Sequence, residues 1–256
     1  MTAPSPQRSE SSDHYSYTFY ADAANARAFD ARRFGGPIGE LVAQGQADVL
    51  RRFLGPLAGV SVLDVGTGTG RAAFLMAGWG AAVTGVDASE EMLAVARERA
   101  RAQGAAVTFA QGDAHQLTMA DRSFDVAVSL RVLMHTPRWQ RCVDELCRVS
   151  RHRVLFDYPS IRSVALVQAI GRRIRHAAGG ATEPYRVFSD AAMRRALARN
   201  GFRITDVHRQ FVLPIALHKT VGSPSFTQRA EHLLARAGMA AAFGSPVTVV
   251  AERCAS

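Results

Sequence analysis

Between residues 60 and 157 short apolar runs alternate with stretches of helical spacing. Val60 to Val65 reads as a buried strand, and the helix that follows the glycines after it spans 70–78. The alternation continues with strand 82–86, helix 89–103, strand 106–110, strand 124–129, helix 138–149 and strand 153–157. Strands separated by helices imply right-handed crossovers and a parallel sheet, with ligands bound at the carboxyl ends of the strands. Ser89 is placed to cap the second of these helices.

Outside that block the pattern changes. Tyr20 to Arg33 reads as an alanine-rich helix stopped by Gly35-Gly36-Pro37. Ile38 to Leu54 reads as a second helix, with apolar Leu41, Val42, Val49, Leu50 and Phe53. Residues 158–188 exceed what a strand–helix connection needs, and Ile161 to Ile174 reads as an inserted helix ended by Gly179-Gly180. Ser189 to Asn200 is a helix capped by Ser189, and Phe202 to Val207 is the sixth strand, with Phe211 to Leu213 continuing it beyond a bulge. Residues 214–243 form a second insertion with a helix over Phe226 to Ala237, and Pro246 to Ala251 is the last strand.

The loop after the first strand, Gly66-Thr67-Gly68-Thr69-Gly70, carries the chemistry. Glycines leading into a helix N-terminus let a ligand approach exposed N–H groups. A dinucleotide fingerprint needs its third glycine one residue later, where Arg71 stands. Asp64, inside the strand end, would repel a pyrophosphate and receive an ammonium group. Asp87 closes the second strand where an acid takes ribose hydroxyls. Asp113, after the third strand, is placed to accept from an adenine amino group.

With Val62 to Gly70, Gly85 to Met92, Gly112-Asp113 and Ser123 to Leu130 in order, the sequence resembles the class I, Rossmann-like S-adenosylmethionine-dependent methyltransferases over roughly residues 60–155. The resemblance implies an α/β fold: a seven-stranded, mostly parallel sheet with the last strand antiparallel beside strand five, and helices on both faces. It implies S-adenosyl-L-methionine as cofactor and S-adenosyl-L-homocysteine as product. Asp64 with Gly66, Thr67, Gly68 and Gly70 would hold the methionine moiety, and Asp87 the ribose. Asp113, flanked by Ala114, would take the adenine amino group, with Ala88, Met92 and Leu130 packed around the cofactor. Arg33 is a candidate for the cofactor carboxylate.

The expected organisation is a disordered tail over 1–13 and one domain over 14–256. Its parts are a helical cap (14–56), a cofactor-binding core (58–158) and insertions over 159–188 and 214–243. The cap either roofs the active site, as in similar enzymes, or only packs on the sheet. The insertions either act as substrate lids or only cover the sheet.

Methyl transfer needs alignment and exclusion of water, and a base only where the acceptor loses a proton. His135, after strand four, is the candidate base, against a reading as a loop-bonding histidine. Arg131 is a candidate for binding an anionic substrate, and Tyr20, Asp157 and Tyr158 are further candidates at the site. Asp125 reads as a structural residue at the start of strand four.

Composition narrows the class. Hydrophobic content of 48% suffices for a packed core, and no apolar run is long enough for a membrane span. The net charge of +9 is compatible with an acidic small molecule. It is a weak argument for nucleic acid, because the basic residues are spread along helices and Lys219 is the one lysine among 31. No Asn/Asp-Pro-Pro-aromatic stretch and no Pro-Cys nucleophile marks a base methyltransferase. Cys142, Cys147 and Cys254 show no metal spacing, so no metal site is expected and a reducing cytoplasm is. The expected acceptor is therefore a small molecule, methylated most readily on oxygen, with nitrogen and carbon open, in natural-product, quinone or lipid metabolism. An RNA or protein methyltransferase and a non-catalytic cofactor-binding relative are the alternatives, and a homodimer is open to the chain.

Overall fold

A computed structural model describes residues 23–177 and 186–255. The tail over 1–13, Tyr20 and Gly179-Gly180 lie outside the described residues.

Two helices come first, α1 (Ala23–Phe34) and α2 (Gly36–Leu54). They part at Gly35 and Gly36, because Gly36 has φ 73, a left-handed backbone. Pro37 then suits the first turn of α2. The alternating block follows: β1 (Ser61–Val65), α3 (Arg71–Gly78), β2 (Ala82–Asp87), α4 (Glu90–Gln103), β3 (Val107–Gln111), β4 (Phe124–Ser129), α5 (Trp139–Val149) and β5 (Ser150–Tyr158). Beyond it lie α6 (Ala165–Ala177), α7 (Asp190–Arg199), β6 (Phe202–Phe211), α8 (Ile215–Val221), α9 (Pro224–Arg236), α10 (Met239–Phe243) and β7 (Ser245–Arg253).

The seven strands form one sheet in the order β3-β2-β1-β4-β5-β7-β6. β7 runs antiparallel to both its neighbours, so it alone opposes the rest, as the family resemblance implies. The strand order reverses between β1 and β4, which opens a crevice at their carboxyl ends. Side-chain alternation splits the core. Leu63, Val65 and Ala127 face α5 and α7, while Val62, Val126 and Val128 face α2 and α3. Asp64 shares the parity of Val62, so its carboxylate is buried on the α2–α3 side, 2% exposed.

Asp125 pins β4 to β1: Oδ2 accepts from Ser61 N (2.9 Å) and from Ser61 Oγ (2.6 Å). The Ser61 bonds hold its carboxyl down at about 2. Cys142 and Cys147 are buried free thiols in α5, pushed up to about 12 chiefly by burial.

Some boundaries move from their sequence positions. The inserted helix begins at Ala165, not Ile161, because Ser160 to Ser163 form a turn in which Ser163 Oγ donates to Ser160 O (2.7 Å). β5 starts at Ser150 and is paired on both edges. β6 runs unbroken to Phe211 with its irregularity earlier, between Ile204 and Asp206. Val212 and Leu213 leave the strand and donate to Glu231 instead. The second insertion holds three helices where the sequence predicts one. Among the described residues no helix is long and apolar enough to cross a membrane.

Candidate cofactor and acceptor sites

The glycine loop is shaped by backbone need. Gly66, Gly68 and Gly70 have φ 74, φ 56 and φ 84, which only glycine adopts readily. Each has a different neighbourhood. A Cβ on Gly66 would lie 2.2 Å from Val132 Cγ2, and one on Gly70 would strike the Phe74 ring at 2.8 Å. A Cβ on Gly68 would meet nothing within 4 Å. Gly66 N and Thr67 N donate to Val86 O, at 2.7 and 3.0 Å, which ties the loop to the end of β2.

A cavity of about 180 Å³ opens above this loop. Asp64, Gly66, Thr67 and Gly68 form one wall, and Asp87, Ala88 and Met92 another. Gly112, Ala114 and Leu130 close it from the ends of β3 and β4. Asp64 accepts from Thr67 Oγ1 (2.7 Å). Burial, and then the nearby Asp87 carboxylate, raise its pKa to about 6 against the Thr67 bond. Asp87 receives Gly68 N on Oδ2 (2.8 Å) and Ser89 N on Oδ1 (3.0 Å). These bonds fix the carboxylate at the wall, and burial raises its pKa.

Two of the expected cofactor residues stand apart from the cavity lining. Gly70 is the left-handed cap of α3 and packs on Phe74 and Phe109. Asp113 turns its Oδ1 to His115, accepting from its N (2.9 Å) and lying 2.7 Å from Nδ1, so its neighbours Gly112 and Ala114 line the cavity in its place.

The roof comes from the N-terminal helices. Phe29, Asp30, Arg33 and Phe34 of α1 line the cavity, with Gln46 of α2. Asp30 Oδ2 accepts from Thr69 Oγ1 (3.0 Å) and pairs with Arg99, tying α1 to the glycine loop and to α4. The Arg71 guanidinium sits 3.8 Å from the Phe34 ring centroid, a cation–π distance, and bonds Gln46. Of these only Arg33 is marked in the sequence. Which face of an isolated helix will meet a ligand depends on how the helix docks, and no spacing records that.

A second cavity, about 470 Å³, adjoins the first. Phe29, Arg33, Phe34, Gln46, Arg131 and His135 line both. Both insertions contribute to it, the first through Pro159, Ser163, Val164 and Arg172, the second through Pro214, Ile215 and Lys219. Asp157 lies in its floor, 2% exposed. Burial raises the Asp157 carboxyl, against the pull of the Arg131 and Arg33 charges. Arg131 has φ 64, rare for a residue with a side chain. Its N–H donates to Asp157 Oδ1. His135 ends a short 3₁₀ turn, Leu133–His135, at the seam of the two cavities. Tyr158, in the core, donates to Asp190 Oδ1 (3.0 Å) and lines neither cavity. Among the described residues no group of three or more His, Cys, Asp or Glu could hold a metal ion.

The first cavity suits an adenosyl amino acid. A buried carboxylate lies behind the loop, Gly68 of the loop lines the cavity with nothing within 4 Å of where a Cβ would stand, and a second carboxylate is fixed at the end of β2. A pyrophosphate would meet both carboxylates.

Residues 63–156 match the family described as Methyltransferase domain. A "Methyltransferase GfsG" of Streptomyces halstedii is 41% identical over 97 residues, which cover 37% of this chain and 35% of that protein. A "Ubiquinone biosynthesis O-methyltransferase" of Rhizobium etli is 26% identical over 166 residues, covering 63% of this chain and 67% of that protein. The chain spans about a third of the length of the first curated relatives it matches. A crystal structure of magnesium protoporphyrin IX methyltransferase from Synechocystis, with bound S-adenosylhomocysteine, superposes with a TM-score of 0.64 at 21% identity. It covers 93% of this chain and 99% of that one, which shows a shared fold. These matches lie on the glycine loop and the strand ends that wall the first cavity: residues 63–156 match the Methyltransferase domain family, and the fold is the one shared by class I, S-adenosylmethionine-dependent methyltransferases.

Proposed function

We propose that this chain transfers a methyl group from S-adenosylmethionine to an oxygen of a small-molecule acceptor held in the second cavity. The observation that carries this is the seam: one cavity walled by Asp64, the glycine loop and Asp87 shares Arg33, Arg131 and His135 with a larger one beside it. When bound, the cofactor supplies a sulfonium methyl group open to in-line displacement. The chain supplies position and a dry enclosure. Asp64 would face the cofactor ammonium and Asp87 its ribose hydroxyls, while α1 and α2 cover it. His135 lies where an imidazole could take the proton of a hydroxyl acceptor.

The acceptor is small in this reading because the second cavity, about 470 Å³, is lined by the two insertions and by α1. Oxygen is favoured by the resemblance to a relative named as an O-methyltransferase of ubiquinone biosynthesis. The five basic side chains that line this cavity favour an anionic acceptor.

The test is incubation of the chain with methyl-labelled S-adenosylmethionine and a small-molecule extract of the source cells, followed by mass spectrometry. A labelled small molecule formed only with the active chain is the expected result. Label found only in RNA or protein, or none at all while calorimetry shows S-adenosylhomocysteine bound, overturns the proposal.

A further inference from the structure

Arg131 combines three features that the cofactor site does not use. First, its backbone is left-handed, at φ 64, in a residue with a side chain. The buried Asp157 carboxylate holds it there through the main-chain N–H. Second, its side chain lines both cavities, so it stands where the two ligands would meet. Third, its guanidinium makes no hydrogen bond among the described residues, and Nε is shut off from water. A buried donor without an acceptor is unfavourable, and a guanidinium fork is matched in shape by a carboxylate.

The surroundings agree. Arg32, Arg33, Arg172 and Lys219 line the second cavity with Arg131, and among the described residues lining it Asp157 is the one carboxylate. Asp157 orients the loop through the Arg131 N–H and lies close enough to feel the Arg131 charge, but no hydrogen bond joins its carboxylate to the guanidinium, whose donors stay open to a second, ligand carboxylate. The rest of the wall includes Met134, Val212, Leu213 and Ile215, which suit an apolar body.

We infer, building on the function proposed above, that Arg131 anchors a carboxylate of an apolar organic acid and that this carboxylate oxygen is the atom methylated. The anchor sits at the seam, so the group it grips is at the reacting end of the acceptor. A lone pair of the carboxylate oxygen forms the new O–C bond, the S–C bond breaks, and its electron pair stays on sulfur. An anion and a sulfonium cation become a neutral methyl ester and a neutral thioether. No proton moves, so no general base is required.

The experiment labels a cell extract with the chain and methyl-labelled S-adenosylmethionine, then treats the product with mild alkali. Esters release their label as volatile methanol, whereas methyl ethers, amines and C-methyl groups keep it. The expected result is release of most of the label. Label that survives alkali overturns the inference and leaves the methyltransferase reading standing. No labelled product, with S-adenosylhomocysteine still bound in calorimetry, removes both. A second measurement uses Arg131→Gln and Arg131→Lys. Arg131→Gln should cut labelling at least a hundredfold and raise the acceptor KM, with partial rescue in Arg131→Lys. The melting temperature of Arg131→Gln should stay near that of the unaltered chain, and saturating S-adenosylmethionine should not restore its labelling. Unchanged labelling in Arg131→Gln overturns the inference.

Discussion

At the residue scale, two carboxylates carry separable predictions. Asp87 is fixed by two backbone N–H groups and lines the cofactor cavity. Removing it in Asp87→Ala deletes acceptors for ribose hydroxyls in a buried site and should weaken S-adenosylhomocysteine binding by about 1–3 kcal/mol. Unchanged affinity by calorimetry would remove Asp87 from the site. Asp64 predicts a pH dependence. Its carboxyl titrates at about 6 in the fold against an ordinary value of 3.8, so the fold disfavours its ionised form. The unfolded chain therefore releases this proton first, and stability from this residue is lost as pH rises from about 4 to 6. An ammonium group beside it favours the ionised form, so cofactor affinity should rise over the same window, by up to about tenfold per pH unit below 6. Asp64→Asn should flatten both curves. A cofactor affinity in the unaltered chain that is flat from about pH 4.5 to 7 would show that no cationic group meets Asp64.

At the element scale, what could be read from the sequence follows what is local. β4 is found at its predicted bounds because Phe124 to Ser129 is a short apolar run with turns on both sides. Ser89 and Ser189 cap their helices as predicted, since a cap depends only on the residues just after it; they accept from Met92 N and Ala192 N. The start of α6 could not be read, because Ile161 is apolar and helix-spaced yet its N–H goes to Phe188 O, a partner far along the chain. The end of β6 was hidden for the same reason. Val212 and Leu213 have strand-like side chains, but Glu231 of α9 takes their N–H groups at 2.8 and 3.0 Å. Glu231 Oε1 also meets His218 Nε2 at 2.9 Å, and the buried His218 bonds Thr227 on its other nitrogen (3.0 Å). One carboxylate thus locks α8 and α9 onto the end of β6. Glu231→Ala would strand two backbone donors and a buried ring. The expected cost is about 2–3 kcal/mol, or a melting temperature lower by about 4–10 °C in a chain of this size. Hydrogen exchange should accelerate over residues 212–243 and stay unchanged in β1 and β2. Uniform acceleration would mean that the second insertion is not a separable unit.

At the scale of the whole molecule, the charge of +9 has to be assigned to a purpose or to none. Many of the arginines serve the fold. Arg148 bonds Glu145, Asp121 and the carbonyls of Leu117 and Met119, and Arg253 reaches the carbonyls of Cys147 and Ser150. The second cavity is where positive charge gathers around a space, with five basic side chains to one carboxylate among the described residues. Its expected ligand is a compact anion, and salt tests this against the nucleic-acid alternative. A small monoanion held in a half-open cavity is screened only partly, so the acceptor KM should rise by no more than about tenfold between about 50 and 500 mM salt. A nucleic acid gripped through six or more phosphates would lose about a thousandfold in affinity between about 50 and 200 mM. A KM that ignores salt altogether would show that the cations of the second cavity do not face the acceptor, and a thousandfold loss would move the acceptor out of the cavity and onto the arginine-rich surface.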